Sequence, residues 1–142
     1  MLRQRKFLSV FLTCALAVSL AGCPKDPYRA AIQGSDDVSQ AVHSAIKITA
    51  SYYAAGTFND AQKAAAATYF TIVTDCNMTF RKAATGVHNA GQTGVGAFLP
   101  IADSFVACAK TSVSDPKVSN VLKAVDTAIN GISLAVQSAK AK

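Results

Sequence analysis

The chain has 142 residues, enough for one domain but too few for two of ordinary size. About half of it is apolar (51%), a share raised by alanine, which forms helix well but buries little area. The formal charge is +6, but Arg3, Arg5 and Lys6 supply three of the fourteen positive charges; the other eleven, against eight aspartates and no glutamate, are too few and too scattered for a nucleic-acid footprint.

Met1 to Lys6 is basic, and Phe7 to Leu20 follows as an apolar run of fourteen residues broken mildly by Ser9, Thr13 and Ser19. Fourteen helical residues reach roughly 21 Å, short of the ~30 Å hydrocarbon core of a bilayer. The run therefore reads as the hydrophobic region of a signal peptide, with an uncleaved membrane anchor as the alternative. It closes on Leu20-Ala21-Gly22-Cys23. These four residues resemble the lipobox of bacterial lipoprotein signal peptides; the resemblance covers the first 23 residues and no more. It implies that Cys23 is acylated, that the chain is cut just before it, and that Cys14 leaves with the leader. A diacylglyceryl cysteine brings two acyl chains and N-acylation a third. Stable anchoring needs more than one chain, each buried methylene contributing about 0.8 kcal/mol.

The expected organisation is a signal peptide over 1–22, a lipidated Cys23 with a short tether over 23–27, and a domain over 28–142. Pro24-Lys25-Asp26-Pro27 suits an extended tether because each proline biases the residue before it away from helix. In the enteric-type sorting rule, Asp directly after the lipidated cysteine holds a lipoprotein at the inner membrane. Pro24 stands there, so the resemblance implies the outer membrane in a Gram-negative cell. In a Gram-positive cell the domain would face outward from the single membrane.

Tyr28, Ile32, Ser35, Val38 or Ser39, Val42, Ile46, Thr49 and Tyr53 recur at helical spacing. Gly34-Ser35-Asp36-Asp37 carries a capping signature with Ser35 as N-cap, so the first helix starts at Asp36 or runs through from Tyr28 with a weak point at Gly34. It ends near Gly56. Thr57-Phe58-Asn59-Asp60 opens a second helix with the stripe Phe58, Ala61, Ala65, Tyr69, Ile72, Cys76, Phe80, Ala83 and Val87. Glycines 86, 91, 94 and 96 mark a loop, without the lysine and hydroxyl of a P-loop or the spacing of a dinucleotide fingerprint. Val95 to Lys110 reads as a shorter third helix, with Pro100 in its first turn or at a kink. Asp115-Pro116 is an N-cap followed by proline at the first helical position. The fourth helix has the stripe Val118, Val121, Leu122, Val125, Ile129, Ile132, Val136 and Ala139, interrupted by Gly131. No stretch alternates with period two. The predicted fold is all-α, a small antiparallel bundle of four helices, up-down-up-down. A three-helix arrangement with an irregular segment over 89–100 is the alternative.

Removing Cys14 and Cys23 leaves Cys76 and Cys108 on facing sides of helices two and three. Outside the cytoplasm such a pair forms a disulfide. A closed loop of 32 residues contributes roughly 3–4 kcal/mol in the chain-entropy model. Metal binding by the two cysteines with His43 or His88 is the rival, without any closely spaced ligand pair to support it. His43 and His88 otherwise read as solvated. The aspartates read as caps (Asp36, Asp37, Asp60, Asp115) or as surface charge (Asp75, Asp103, Asp126). No carboxylate pair is spaced for acid–base work and no serine has a nucleophile-elbow context. Of Tyr52 and Tyr53, one side chain faces the core and the other covers the bundle end or meets a partner.

The sequence thus points to a non-catalytic lipoprotein of the cell envelope that binds a protein or supports structure. No cofactor is expected beyond the covalent lipid on Cys23, and no nucleic acid. The partners are the membrane, through the lipid, and an unidentified protein. Two alternatives remain: a peptidoglycan-linked structural lipoprotein attached through Lys142, as in the murein lipoprotein, or a carrier of a small apolar ligand.

Overall fold

The computed structural model describes residues 26–139. They form four helices, α1 (Pro27–Ala54), α2 (Asp60–Asn89), α3 (Val95–Ala109) and α4 (Pro116–Ser138). Each helix packs on its two neighbours in the ring α1–α2–α3–α4, while the diagonal pairs barely touch. This is the expected antiparallel bundle, up-down-up-down, with no strand among the described residues.

Local chemistry sets the helix ends. The Asp26 carboxylate accepts from the Tyr28 amide at 2.9 Å and Pro27 occupies the first helical position of α1. Asn59 and Gln62 form a reciprocal capping box at α2, with bonds of 2.8 and 3.0 Å. Asp115 caps α4 through the amides of Lys117 and Val118, at 2.8 and 3.1 Å. The first two helices end alike. Gly56 (φ +70°) and Gly91 (φ +79°) adopt the left-handed conformation, and each turn closes with a pair of reversed backbone hydrogen bonds. Thr57 and Gly56 donate to the carbonyls of Tyr52 and Tyr53; Gln92 and Gly91 donate to those of Val87 and His88.

Several boundaries differ from expectation. α1 does not start at Asp36: it runs unbroken from Pro27, so Asp26 and Pro27 belong to the helix start rather than to a tether. Ser35 is fully buried in mid-helix instead of capping, and Gly34 is where the backbone meets α4. A Cβ on Gly34 would sit 2.7 Å from Ile132 Cγ1, a distance real side chains do not adopt. α2 continues through Gly86 to Asn89, because the glycine that ends it is Gly91. Pro100 lies inside α3, beyond its first turn.

The core is drawn unevenly from the helices. Every member of the expected α4 stripe is buried, from Val118 to Val136 and on to Ala139 just past the helix end. α1 buries mostly small residues, Ala30, Ala31, Gly34, Ser35 and Ala45, with Val38, Val42 and Thr49. Its face is rotated from the expected one, leaving Ile46 and Tyr53 exposed. α2 buries Ala66, Tyr69, Phe70, Val73, Cys76, Asn77, Phe80 and Ala84, in place of Ala61, Ala65 and Ala83 from the expected stripe.

α3 is half the length of α2, 15 residues against 30. Below its end the chain turns extended, and Asp115 receives a hydrogen bond from Gln62 Nε2 at 2.9 Å. Six extended residues span about 20 Å, matching the roughly 21 Å between Gln62 and Cys76 along α2. The 110–115 segment thus takes the place of a helix over the lower bundle, with Val113 packed on the core.

Candidate functional site

Cys23 and the three residues before it lie outside the described residues. The described chain begins at Asp26, with only Pro24 and Lys25 between Cys23 and the α1 cap. What this end of the bundle looks like is clear. Pro27 is buried. The Tyr28 ring stacks on His88 from the last turn of α2, centroids 3.9 Å apart and planes 4° apart. Phe98, in the first turn of α3, lies against the other side of this cluster, 6.1 Å from Tyr28. His88 therefore lies in the last turn of α2 and not in a loop; it is exposed, as expected, and its ring also stacks on Tyr28 of α1.

Cys76 and Cys108 form the expected disulfide, with their Cα atoms 5.9 Å apart. Cys108 is the penultimate residue of α3, so the bond fastens the short helix to the middle of α2 where the chain changes from helix to extended. Phe80 and Phe105 pack beside it at 5.1 Å. With their sulfurs bonded to each other the two cysteines are not metal ligands. Among the described residues no three His, Cys, Asp or Glu side chains gather in a way that would hold a metal.

The aspartates do more than cap and solvate. Asp36 and Asp37 stand in mid-helix rather than at a helix start. Asp36 pairs with Arg81 across the α1–α2 seam. Asp126 accepts the hydroxyl of buried Tyr69, joining α4 to α2. Burial, and then the hydrogen bond to Asp126, push the Tyr69 hydroxyl well above the ordinary tyrosine range. Asp103 accepts from Ser133 at 2.8 Å, joining α3 to α4. At the far end Tyr53 donates to Asp60 at 2.7 Å while the Lys63 ammonium sits 3.9 Å above its ring. Tyr52 meets Phe58 edge to face at 5.4 Å. Both tyrosines thus brace the α1–α2 turn, and neither is fully buried.

One surface depression stands between α1 and α2. It holds about 240 Å³ and is lined by Val38, Val42, His43, Ile46, Asn77 and Met78, among others. Ile46 and Met78 are 45% and 53% exposed at its rim. At its base the Asn77 amide donates to the Ser35 carbonyl and to Ser39 Oγ, both at 3.0 Å, so a polar clasp holds the two helices beneath an apolar rim. His43 is exposed there. Sequence periodicity missed this feature because it assigned Ile46 to the core.

No described helix is long and apolar enough to cross a membrane. Comparison of the chain with protein-family models, with curated proteins and with solved structures finds no match in any of the three.

Proposed function

We propose that the protein is a membrane-anchored bacterial lipoprotein, a non-catalytic helical module held at the cell envelope by lipid on Cys23. The observation that carries this reading is Leu20-Ala21-Gly22-Cys23, placed directly after a basic start and a fourteen-residue apolar run. The short distance from Cys23 to the bundle supports it: a domain that begins at Asp26 would stand close against the membrane, with little slack. The half-exposed Ile46 and Met78 beside the α1–α2 depression support a module that works by contact with a protein. The hydroxyl and carboxylate pairs across helices support a scaffold, since each such group is occupied with a neighbouring helix.

The test is Cys23→Ala. The variant is expected to keep the size of the unprocessed chain and to take up no labelled fatty acid, while the wild-type chain shortens and labels. Normal shortening and acyl labelling of the variant would overturn the assignment.

A further inference from the structure

The segment after α3 is built unlike the turns after α1 and α2. Those turns close with reversed backbone hydrogen bonds. After α3 the chain runs on extended, and the carbonyls of Val106 to Ala109 accept nothing from it. Among the described residues, no backbone hydrogen bond reaches the N–H or C=O groups of Lys110 to Ser114. Exposure alternates along the segment: Lys110, Ser112 and Ser114 are exposed, while Thr111, Val113 and Asp115 are partly buried. This is the pattern of a strand with one face on the core and its edges unpaired. The segment is also held in place. The Cys76–Cys108 disulfide fixes its start, Gln62 holds Asp115 at its end, and Val113 packs on the core between them.

A groove of about 300 Å³ lies between this segment and α4. Val106 and Ala109 line it from the last turn of α3, Thr111 and Ser112 from the segment, and Asp126 and Ile129 from α4. In an extended chain every second residue turns its N–H and C=O to the same side. Either Thr111 and Val113, or Lys110, Ser112 and Ser114, therefore present both groups to the α4 flank. Asp126 gives the groove a fixed negative charge: the Tyr69 hydroxyl holds one carboxylate oxygen, and the other has no partner among the described residues. The C-terminal end of α3 adds the partial negative charge of its dipole. Lys110 also lines the groove, but it is exposed and makes no ion pair with Asp126.

We infer that this groove takes an extended peptide segment of a partner protein, which pairs as a strand with the 110–114 backbone and places a lysine or arginine side chain on Asp126. Main-chain pairing supplies the affinity common to any such peptide, and Asp126 selects the charge. A segment already extended and tied at both ends loses little freedom on pairing. The inference rests on the reading of the module as one that works by contact with a protein, and names the kind of partner. It does not depend on lipid at Cys23, which Cys23→Ala decides separately.

The test uses the full-length protein purified in detergent and followed by amide NMR. The probe is a pool of acetylated, amidated hexapeptides with Lys at one central position and Val, Thr, Ser or Ala elsewhere; a second pool carries Glu in place of the Lys. The Lys pool is expected to shift the amide signals of 110–114 and of the residues around Asp126, and to bind roughly fivefold tighter than the Glu pool. The tightest Lys peptide is then made with N-methyl groups on its odd or on its even residues. One form is expected to lose binding and the other to keep it, because a strand pairs through alternate residues. Asp126→Asn, which still offers Tyr69 an acceptor, is expected to erase the preference for Lys over Glu while leaving the main-chain pairing. An absence of shifts at 110–114, equal binding of the two pools, or equal effects of the two methylated forms would refute the inference. Shifts at 110–114 that grow with protein concentration alone would give the edge to a second copy of the chain and overturn it as well.

Discussion

α1 and α4 lie side by side, each with one glycine inside the helix, yet they build their shared seam by opposite means. α4 presents a row of branched side chains, Val118, Val121, Leu122, Val125, Ile129, Ile132 and Val136, all buried. α1 answers with small residues, Ala30 and Gly34 beside Ala128 and Ile132, and turns larger residues such as Ile46 and Ile48 toward solvent. One helix supplies knobs and the other supplies room. A row of large residues declares its own inward face. A row of small ones takes its face from the shape of its partner, because the contact that rewards it is made by atoms on the other helix.

That asymmetry predicts unequal costs for the same substitution. Ile132→Ala removes a side chain with no exposure and leaves a gap opposite Gly34, which has no atoms to close it. A loss of about 2–5 kcal/mol is expected from urea midpoints. Ile46→Ala on α1 removes as many atoms from a half-exposed site and is expected to cost below about 1 kcal/mol. Comparable losses at the two positions would mean that the inward face of α1 is the one drawn by simple periodicity.

The two glycines sharpen the point and reverse the sign. Gly34→Ala puts a methyl 2.7 Å from Ile132 Cγ1, and a destabilisation of about 1–3 kcal/mol is expected. In an Ile132→Ala background the same change finds space, so its cost falls or vanishes, and a double-mutant cycle measures the coupling. Gly131 has nothing within 4 Å of the position its Cβ would take. There an alanine only removes backbone freedom from the unfolded chain, and Gly131→Ala is expected to stabilise by about 0.5–1 kcal/mol. Loss of stability in that variant would show that α4 needs this glycine for an approach the seam does not display.

The same contrast explains what the sequence could reveal. Asp115-Pro116 and the α4 stripe were legible because cap, proline and branched residues all favour one answer. The Cys76–Cys108 pair was legible because the expected loss of Cys14 with a leader and the expected acylation of Cys23 leave no other partner for either. Gly34-Ser35-Asp36-Asp37 misled as a helix start. Ser and Asp favour caps when only local hydrogen bonds count, but here the helix runs on through Gly34, which packs on Ile132 of α4, and Ser35 is buried with its carbonyl accepting from Asn77 of α2. Among the clustered glycines only Gly91 has positive φ, and composition alone cannot separate it from Gly86, which is helical. Leu20 to Cys23 is legible only as a motif.

The smallest expected effect separates the two helices by pH. Asp37, in α1 beside Gln33, Ala128 and Gly131, is raised above the ordinary carboxylate range, first by burial and then by neighbouring Asp36. Asp115, capping α4, is held below that range by the Gln62 amide and by the Val118 and Lys117 amides. The signs are opposite. A raised carboxyl binds its proton more tightly in the folded state, so its charged form costs stability at neutral pH and the cost disappears as pH falls through the raised value. A lowered carboxyl contributes stability at neutral pH that begins to fade as pH drops below the ordinary value near 4 and is gone below its folded value. Asp37→Asn is therefore expected to raise the urea midpoint at pH 7 and to lose that advantage in acid. Asp115→Asn still caps the helix, since Asn and Asp cap equally well, and is expected to lower the midpoint at pH 7 and to lose that disadvantage progressively as the pH falls below about 4. Midpoints measured at pH 7, 4.5 and 3 for both variants decide it. Shifts of the same sign at pH 7 would mean that Asp37, which is exposed, is hydrated well enough to behave as an ordinary surface carboxylate despite its place beside Gly131.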